Sequence, residues 1–202
     1  CARLGIRSVR VDVASDAEYE EVATTVRSLN EDPSINGVLV QSPLPSGMDE
    51  VSITDLIDPN KDVDGFHAQN LGRLVQGDVS GLLPCTPAGV MRMLESTDLE
   101  IRGKRAVVIG RSRIVGMPQS ILLAQRGVDA TVTIAHSRTT DMADLCRSAD
   151  LIIAAVGSPN MITPDWIKPG ATIIDVGVNR VNDGSEKGYY LSGDVHPDVI
   201  EV

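Results

Sequence analysis

The sequence alternates short apolar runs with amphipathic stretches from one end to the other, which is typical of strands that feed helices in a parallel sheet. In the first part, RSVRVDV (residues 7–13) alternates in polarity, so it is a predicted strand. NGVLVQS (residues 36–42) is nearly all apolar in its middle, as expected of a strand that is covered on both faces. Both segments are therefore predicted to belong to a first α/β lobe.

Helix starts are marked by side chains that can accept hydrogen bonds from free backbone N–H groups. Ser15 and Glu18 form a capping box ahead of an amphipathic stretch, and Ser46 and Asp49 predict the start of another helix. In PCTPAGVMRMLEST, Thr86 is the predicted N-cap, because a proline follows it in the first turn. This third helix is predicted to join the two halves of the chain.

The second half repeats the strand and helix pattern more regularly. Four apolar runs are predicted strands: RAVVIG, ATVTIAH, DLIIAAVG and ATIIDVGV. MPQSILLAQRG (residues 117–127) is a predicted helix that ends in glycine, a short helix is predicted after Thr163, and GYYLSGDV (residues 188–195) is a last strand after a polar, hairpin-like loop. The sequence thus predicts two α/β lobes, the second a doubly wound Rossmann-type parallel sheet, with domains over residues 1–86 and 87–202.

Composition narrows the classes of function. The chain has 202 residues and a net charge of −10, which argues against a general nucleic-acid or anionic-membrane surface. Its three cysteines are widely separated, so neither a disulfide framework nor a zinc cluster is predicted. No apolar run approaches the roughly 20 residues that cross a bilayer.

The segment VVIGRSRIVGMPQ places Gly110, Ser112 and Gly116 between a predicted strand and a predicted helix. Backbone N–H groups and the helix dipole can hold a pyrophosphate at such a junction. Ser112 replaces the middle glycine of the usual dinucleotide pattern, and the last glycine comes one residue late. An ordinary glycine-containing turn therefore remains the alternative.

The dinucleotide is predicted to be NADP rather than NAD. An NAD site offers an acidic residue about 20 residues past the loop, but the corresponding turn, AHSRTT, has no acid before Asp141. Ser137 and Arg138 lie there instead, and Arg111 and Arg113 belong to the phosphate loop. Basic side chains in an acidic chain suit a 2′-phosphate. Exposed arginines without a ligand are the alternative.

Gly157 and Gly177 each follow an apolar strand, where parallel sheets meet their ligands. Small residues at these positions would let a nicotinamide ring approach the backbone, although structural turns also use glycine. The segment DPNKDVDGFH (residues 58–67) resembles the start of a calcium loop, but Leu71 occupies the position of the required glutamate. A carboxylate site or a polar turn is therefore predicted there, and no metal.

Several segments together resemble one family, the bifunctional methylenetetrahydrofolate dehydrogenase/cyclohydrolases. They are GVLVQSPLP, DPNKDVDGFH, PCTPAGVMRML, GKRAVVIGRSRIVGMP, HSRT, ADLIIAAVG, GATIIDVGVN and GDV. They occur in order through essentially the whole chain. The resemblance implies NADP-dependent oxidation of 5,10-methylenetetrahydrofolate to the methenyl form and hydrolysis of that product to 10-formyltetrahydrofolate.

The resemblance also implies roles for individual residues. Gln41 and Asp64 match catalytic positions, and Asp64 would accept hydrogen bonds from the pterin ring. The implied folate-binding set is Gln41, Pro43, Leu44 and Asp64. The implied cofactor-binding set is Thr86, Gly110, Arg111, Ser112, Val115, Gly116, Ser137, Arg138, Gly157, Gly177 and Val178.

One departure from the family pattern changes the expected activity. The resemblance implies a Tyr-x-x-x-Lys motif upstream of the segment that CARLGI matches, and a glycine- and proline-rich segment after GDV. We therefore expect the chain to be an internal portion of the enzyme. The lysine would supply the proton transfer for hydrolysis, so the 202-residue chain is predicted to lack cyclohydrolase activity.

Two other functions remain open on the sequence alone. The chain could be an NADP-dependent dehydrogenase of a different small molecule, or a non-catalytic dinucleotide-binding module. The family resemblance further implies tetrahydrofolate derivatives as partners and a homodimer, with no nucleic acid or membrane partner. A cytoplasmic location is predicted, with an organelle as the alternative.

Overall fold

The structure is a computed structural model that describes residues 1–185 and 187–202. The chain forms two compact units, Cys1–Val63 and Asp64–Val202, and each is described here by itself. This structural division lies ahead of the predicted domain boundary at residue 86, which stays a prediction about function. Within the described residues, no helix is long and apolar enough to cross a membrane.

The first unit is built mainly on helices α1 (Tyr19–Glu31) and α2 (Glu50–Thr54). Helix α2 begins as predicted, because the Asp49 carboxylate accepts hydrogen bonds from the N–H groups of Val51 and Ser52. The core combines the apolar face of α1 with Val38, Ile53 and other buried side chains.

Three predictions for the first unit are wrong. Residues 7–13 are exposed and form no strand, and residues 36–42 contribute only an isolated bridge between Val38 and Asp62. A strand needs a neighbour to take its backbone hydrogen bonds, and no strand occurs among residues 1–63, all of which are described. Ser15 does not cap α1: the Ala17 N–H bonds to the Ala14 carbonyl in a turn, so Glu18 becomes the N-cap.

The second unit contains a four-stranded parallel sheet in the order β2-β1-β3-β4. The strands are β1 (Arg105–Ile109), β2 (Thr131–Ala135), β3 (Leu151–Ala154) and β4 (Thr172–Asp175), and the helices are α3 (Ala68–Val75), α4 (Cys85–Glu95), α5 (Gly116–Ala124) and α6 (Met142–Ser148). All four predicted strands of the Rossmann-type sheet are present.

Helices cover the sheet on both faces, which explains why its central strands read as continuous apolar runs. Val107, Ile109 and Ile152 belong to a core cluster with Cys146 of α6. The alternate residues of β1 and β3 form a second cluster with buried side chains of α4 and α5, such as Leu94 and Leu123. The predicted α/β class with a Rossmann-type parallel sheet is confirmed.

Two helix boundaries differ from prediction. Helix α4 begins at Cys85 with Pro84 as its N-cap, so Thr86 lies inside the first turn. Helix α5 ends at Ala124 rather than at Gly127, because Gln125 adopts an extended conformation. A short 3-10 helix follows Thr163, as predicted.

The chain ends in a hairpin and a short helix. Strands β5 (Asn179–Asn182) and β6 (Tyr189–Ser192) pair antiparallel, and a 3-10 helix follows at Pro197–Glu201. The predicted last strand is present as β6. Glu186, in the predicted polar loop, lies outside the described residues.

Candidate functional site

The carboxyl ends of the four parallel strands define the candidate cofactor edge of the second unit. The four strands end there at Ile109, Ala135, Ala154 and Asp175. In open α/β sheets, ligands bind beside such ends. The structure places most of the predicted cofactor residues within seven positions of these ends: Gly110, Arg111, Ser112, Val115, Gly116, Ser137, Arg138, Gly157, Gly177 and Val178. Thr86 instead lies exposed in the first turn of α4.

Gly110 is the tightest point of the phosphate loop. Its φ of 122° belongs to the region that favours glycine. A Cβ at this position would also collide with the Ala155 carbonyl, whose carbon would be 3.0 Å away. The Gly110 N–H donates to the Ala135 carbonyl at 2.8 Å. The ends of β1, β2 and β3 therefore converge at this glycine.

Gly116 and Ser112 close the loop against the start of α5. A Cβ on Gly116 would lie 2.5 Å from the Gly110 carbonyl carbon, so a larger residue does not fit. The Ser112 hydroxyl accepts hydrogen bonds from the N–H groups of Val115 at 3.2 Å and Gly116 at 3.4 Å. This local capping explains why serine stands where the usual pattern has glycine.

The cofactor edge also carries arginine side chains. Among the residues that the structure describes, the ion pairs include neither Arg111 nor Arg138, and both residues are exposed, as is Ser137. Arg113, also outside those ion pairs, holds its guanidinium carbon 5.7 Å from the centre of the Phe66 ring. In a chain of net charge −10, these groups form a local site for an anion.

The two glycines that follow β3 and β4 are required for different structural reasons. Gly157 has a φ of 71°, and a Cβ there would meet no atom within 4 Å, so the turn conformation requires glycine. Gly177 has no positive φ, but a Cβ would lie 2.5 Å from the Asp194 carboxylate oxygen. Packing therefore excludes a side chain at Gly177. Val178 beside it is 75% exposed.

The predicted folate residues of the first unit lie on one connecting segment. Gln41 is exposed, and its side-chain amide donates to the Ser42 carbonyl at 2.9 Å. Pro43 is exposed and follows a cis peptide bond. Leu44 is half-buried against the core of that unit. Asp64, which is half-buried, begins the second unit.

The DPNKDVDGFH segment contains an ordered polar turn. The Asp58 carboxylate accepts hydrogen bonds from the backbone and side-chain nitrogens of Asn60. The Lys61 ammonium donates to the carbonyls of Leu29, Asn30 and Asp32 at 3.3, 2.6 and 2.9 Å. Lys61 thus donates to two carbonyls in the last turn of α1 and to the carbonyl of Asp32, which follows the helix. In the described part of the chain, no group of three His, Cys, Asp or Glu residues could hold a metal ion.

We expect Lys61→Met to lower the free energy of unfolding by about 1–3 kcal/mol, because it removes a charged donor from helix carbonyls while keeping the aliphatic stem. Urea denaturation followed by circular dichroism measures the change. Lys61→Arg, which keeps the charge, should recover part of the loss. Equal stability of Lys61→Met and the unmodified protein would contradict the capping role.

Comparison with known proteins agrees with the two units. A family model described as "Tetrahydrofolate dehydrogenase/cyclohydrolase, catalytic domain" matches residues 1–64, and one described as "Tetrahydrofolate dehydrogenase/cyclohydrolase, NAD(P)-binding domain" matches residues 84–202. The chain belongs to this family. The resemblance stated from the sequence segments is therefore confirmed.

Relatives of this family are similar over nearly the whole chain. "Bifunctional protein FolD 4, chloroplastic" of Arabidopsis thaliana is 52% identical over 96% of the chain and 54% of its own length. "Bifunctional protein FolD" of Aromatoleum aromaticum is 51% identical over 96% of the chain and 66% of its own length. The chain thus spans between half and two thirds of these two relatives.

A solved structure shows the same fold. The methylenetetrahydrofolate dehydrogenase-cyclohydrolase (FolD) of Trypanosoma brucei, complexed with NADP cofactor and inhibitor, matches with a TM-score of 0.92 and 40% identity. The match covers 98% of this chain and 67% of that one. The mixed α/β architecture is therefore that of solved members of the tetrahydrofolate dehydrogenase/cyclohydrolase family.

Sequence reasoning missed two carboxylates beside the cofactor edge, those of Asp175 and Asp194. Asp194 is fully buried, and its carboxylate accepts hydrogen bonds from the N–H groups of Val156 at 2.6 Å, Gly157 at 3.0 Å and Ser158 at 2.8 Å. The Asn179 side chain donates to it as well, at 2.9 Å. The only sequence signal was its place in the GDV segment that matches the family.

Burial of Asp194 alone would raise the pKa of its carboxyl, but the hydrogen bonds from Asn179 and from the backbone N–H groups lower that pKa overall. A lowered pKa in the folded state stabilises the fold above the ordinary titration range of a carboxyl. This contribution is lost as the pH falls through the lowered pKa. Asp194 is therefore ionised at neutral pH and contributes fully there.

Proposed function

We propose that this chain forms the dinucleotide-binding part and a portion of the folate-binding part of an NADP-dependent methylenetetrahydrofolate dehydrogenase/cyclohydrolase. The dehydrogenase would convert 5,10-methylenetetrahydrofolate and NADP⁺ to 5,10-methenyltetrahydrofolate and NADPH. The cyclohydrolase would add water to the methenyl product to give 10-formyltetrahydrofolate. Family membership over both units supports this function.

One observation carries the choice of cofactor. A strand-to-helix loop that admits only glycine at two points lies beside arginines that have no acidic partner among the described residues. The loop ahead of α5 fits a pyrophosphate, and Arg111, Ser137 and Arg138 fit the 2′-phosphate that distinguishes NADP from NAD. The relative from Trypanosoma brucei was solved with NADP.

The residues of this chain would act by binding and orientation. NADP, when bound, accepts the hydride that leaves the folate methylene carbon. Gly157, Gly177 and Val178 would border the nicotinamide ring, and Thr86 would contribute from the start of α4. Orientation of the reacting carbons is the main contribution that the protein makes to hydride transfer.

The folate would be bound by polar groups that suit a pterin. Asp64 would accept hydrogen bonds from the ring N–H groups, because an ionised carboxylate is an acceptor only. Gln41 would assist proton transfer, and Pro43 and Leu44 would contact the substrate. A homodimer and a cytoplasmic or organellar location also remain proposals; one relative is named as chloroplastic.

A second candidate function is dinucleotide binding without folate hydrolysis. The 202 residues contain no Tyr-x-x-x-Lys sequence, and the hydrolytic step needs a general acid or base near neutral pKa. This observation favours a chain that binds NADP and orients folate but does not open the methenyl ring.

The test combines binding and turnover. We expect the purified chain to bind NADP in calorimetry and to reduce NADP, but not NAD, with 5,10-methylenetetrahydrofolate. Asp64→Asn should weaken folate-dependent reduction and leave NADP binding unchanged. NADP binding or reduction without methenyl hydrolysis would favour the second candidate, and methenyl hydrolysis above the buffer rate would exclude it. Reduction driven only by another small substrate would overturn both.

A further inference from the structure

Two carboxylates link the ends of β3 and β4 to the segment that follows β6. The Asp194 carboxylate accepts the four hydrogen bonds described above. The Asp175 carboxylate accepts hydrogen bonds from the N–H groups of Gly177 at 2.9 Å, Asp194 at 3.1 Å and Val195 at 3.0 Å. We name Asp175 and Asp194 the carboxylate pair. Each member fixes backbone that belongs to a different strand end.

We propose that Asp194 is a positioning residue that holds the turn after β3 in the conformation required by the nicotinamide half of NADP. This inference rests on the proposed function. The adenosine half is expected to be independent of Asp194. A change of the Asp194 carboxylate should therefore weaken the binding of a ligand that contains the nicotinamide half and leave the binding of the adenosine half unchanged.

Packing around the carboxylate pair leaves little freedom. Gly177 cannot carry a Cβ, because Asp194 occupies that space. The Asp175 carboxylate likewise leaves no room for a Cβ on Gly193. The Asn160 N–H donates to the Gly193 carbonyl at 3.1 Å, which adds a further link to the turn after β3. The turn is thus fixed at both ends.

The sheet order places the turns that the pair holds beside β3 and β4, two and three strands from Ser137 and Arg138 at the end of β2. In the order β2-β1-β3-β4, Arg111 follows β1 and Ser137 follows β2, whereas the turns held by Asp194 follow β3 and β4. Neighbouring strands lie about 4.8 Å apart, so a dinucleotide along this edge spans several strands. With its 2′-phosphate near β1 and β2, its other half lies toward β3 and β4.

The chemistry of the carboxylate explains why an amide would not replace it. An ionised Asp194 accepts all four bonds, whereas an asparagine presents an NH2 donor toward backbone donors. At least one N–H of residues 156–158 would lose its acceptor. The turn would then have to be ordered by the ligand, which lowers affinity for the ligand part that contacts it.

Calorimetry with two ligands tests the inference. We expect Asp194→Asn to bind NADP about tenfold or more weakly, as loss of a charged hydrogen bond implies. Its affinity for adenosine 2′,5′-bisphosphate should stay within about twofold of the unmodified protein. Asn179→Ala removes only one donor to Asp194 and should give a smaller loss with the same selectivity. Asp198→Asn, which removes an exposed charge from the same segment, should change neither affinity.

The outcomes separate the inference from the proposed function. Equal losses for both ligands, or no loss for either, would overturn the positioning role. If Asp194→Asn does not fold by circular dichroism, Asn179→Ala decides by the same criterion. Failure of the unmodified protein to bind NADP while the bisphosphate binds would overturn the inference as well. Failure to bind either ligand would overturn the proposed function itself.

Discussion

Gly110→Ala is expected to lower the free energy of unfolding by about 2–5 kcal/mol and to abolish measurable NADP binding. A φ of 122° is unfavourable for alanine. The new methyl group would also meet the Ala155 carbonyl, which is backbone and cannot rotate away. The strand ends would have to separate, and the phosphate loop would be displaced. Urea denaturation and calorimetry measure the two effects.

Gly127→Ala is the matched control for this substitution. Gly127 has a φ of 95°, but a Cβ there would meet no atom within 4 Å. Only the backbone cost applies, so a loss of about 1–2 kcal/mol with unchanged NADP affinity is expected. Similar results for the two variants would show that the contact with Ala155 is unimportant.

Arg111→Ala is expected to weaken NADP binding about 10- to 100-fold and to leave NAD binding within about twofold. A charged hydrogen bond to phosphate contributes about 1.5–3 kcal/mol, and each 1.4 kcal/mol corresponds to a tenfold change in affinity. The two dinucleotides differ only in the 2′-phosphate, so their comparison isolates that contact. Calorimetry at one fixed ionic strength provides the measurement.

Arg126→Ala removes the same charge from an exposed position just after α5. We expect it to leave the preference for NADP unchanged. If Arg111→Ala and Arg126→Ala weaken NADP binding equally, the effect is one of net charge, and the assignment of Arg111 to the 2′-phosphate is wrong. An equal loss of NAD binding in Arg111→Ala would also contradict it.

The buried sheet was predictable because its strands combine two independent signals. RAVVIG and DLIIAAVG are apolar on both faces, and each lies between helical patterns. The alternating residues 7–13 carry the same local signal but form no strand. Pairing partners, which a local pattern does not contain, decide whether an alternating segment joins a sheet.

The candidate site likewise combines residues that the local sequence predicts with a residue that it does not predict. Gly110 and Gly116 follow from a local loop pattern, and the structure gives each a steric reason. Asp194 acts on residues 156–158, far away in sequence, through bonds that form only after the sheet is assembled. Its role depends on tertiary contacts, so no periodicity or short motif predicts it.

The internal bonding of the phosphate loop limits which of its amides remain for a ligand. The Gly110 N–H donates to the Ala135 carbonyl. The N–H groups of Val115 and Gly116 donate to the Ser112 hydroxyl, and the Met117 N–H donates to the Ser112 carbonyl. Within the described chain, the amides of residues 111–114 have no acceptor. An oxyanion at this loop would therefore slow hydrogen–deuterium exchange at those four consecutive positions, while the first turn of α5 is already protected by the protein itself.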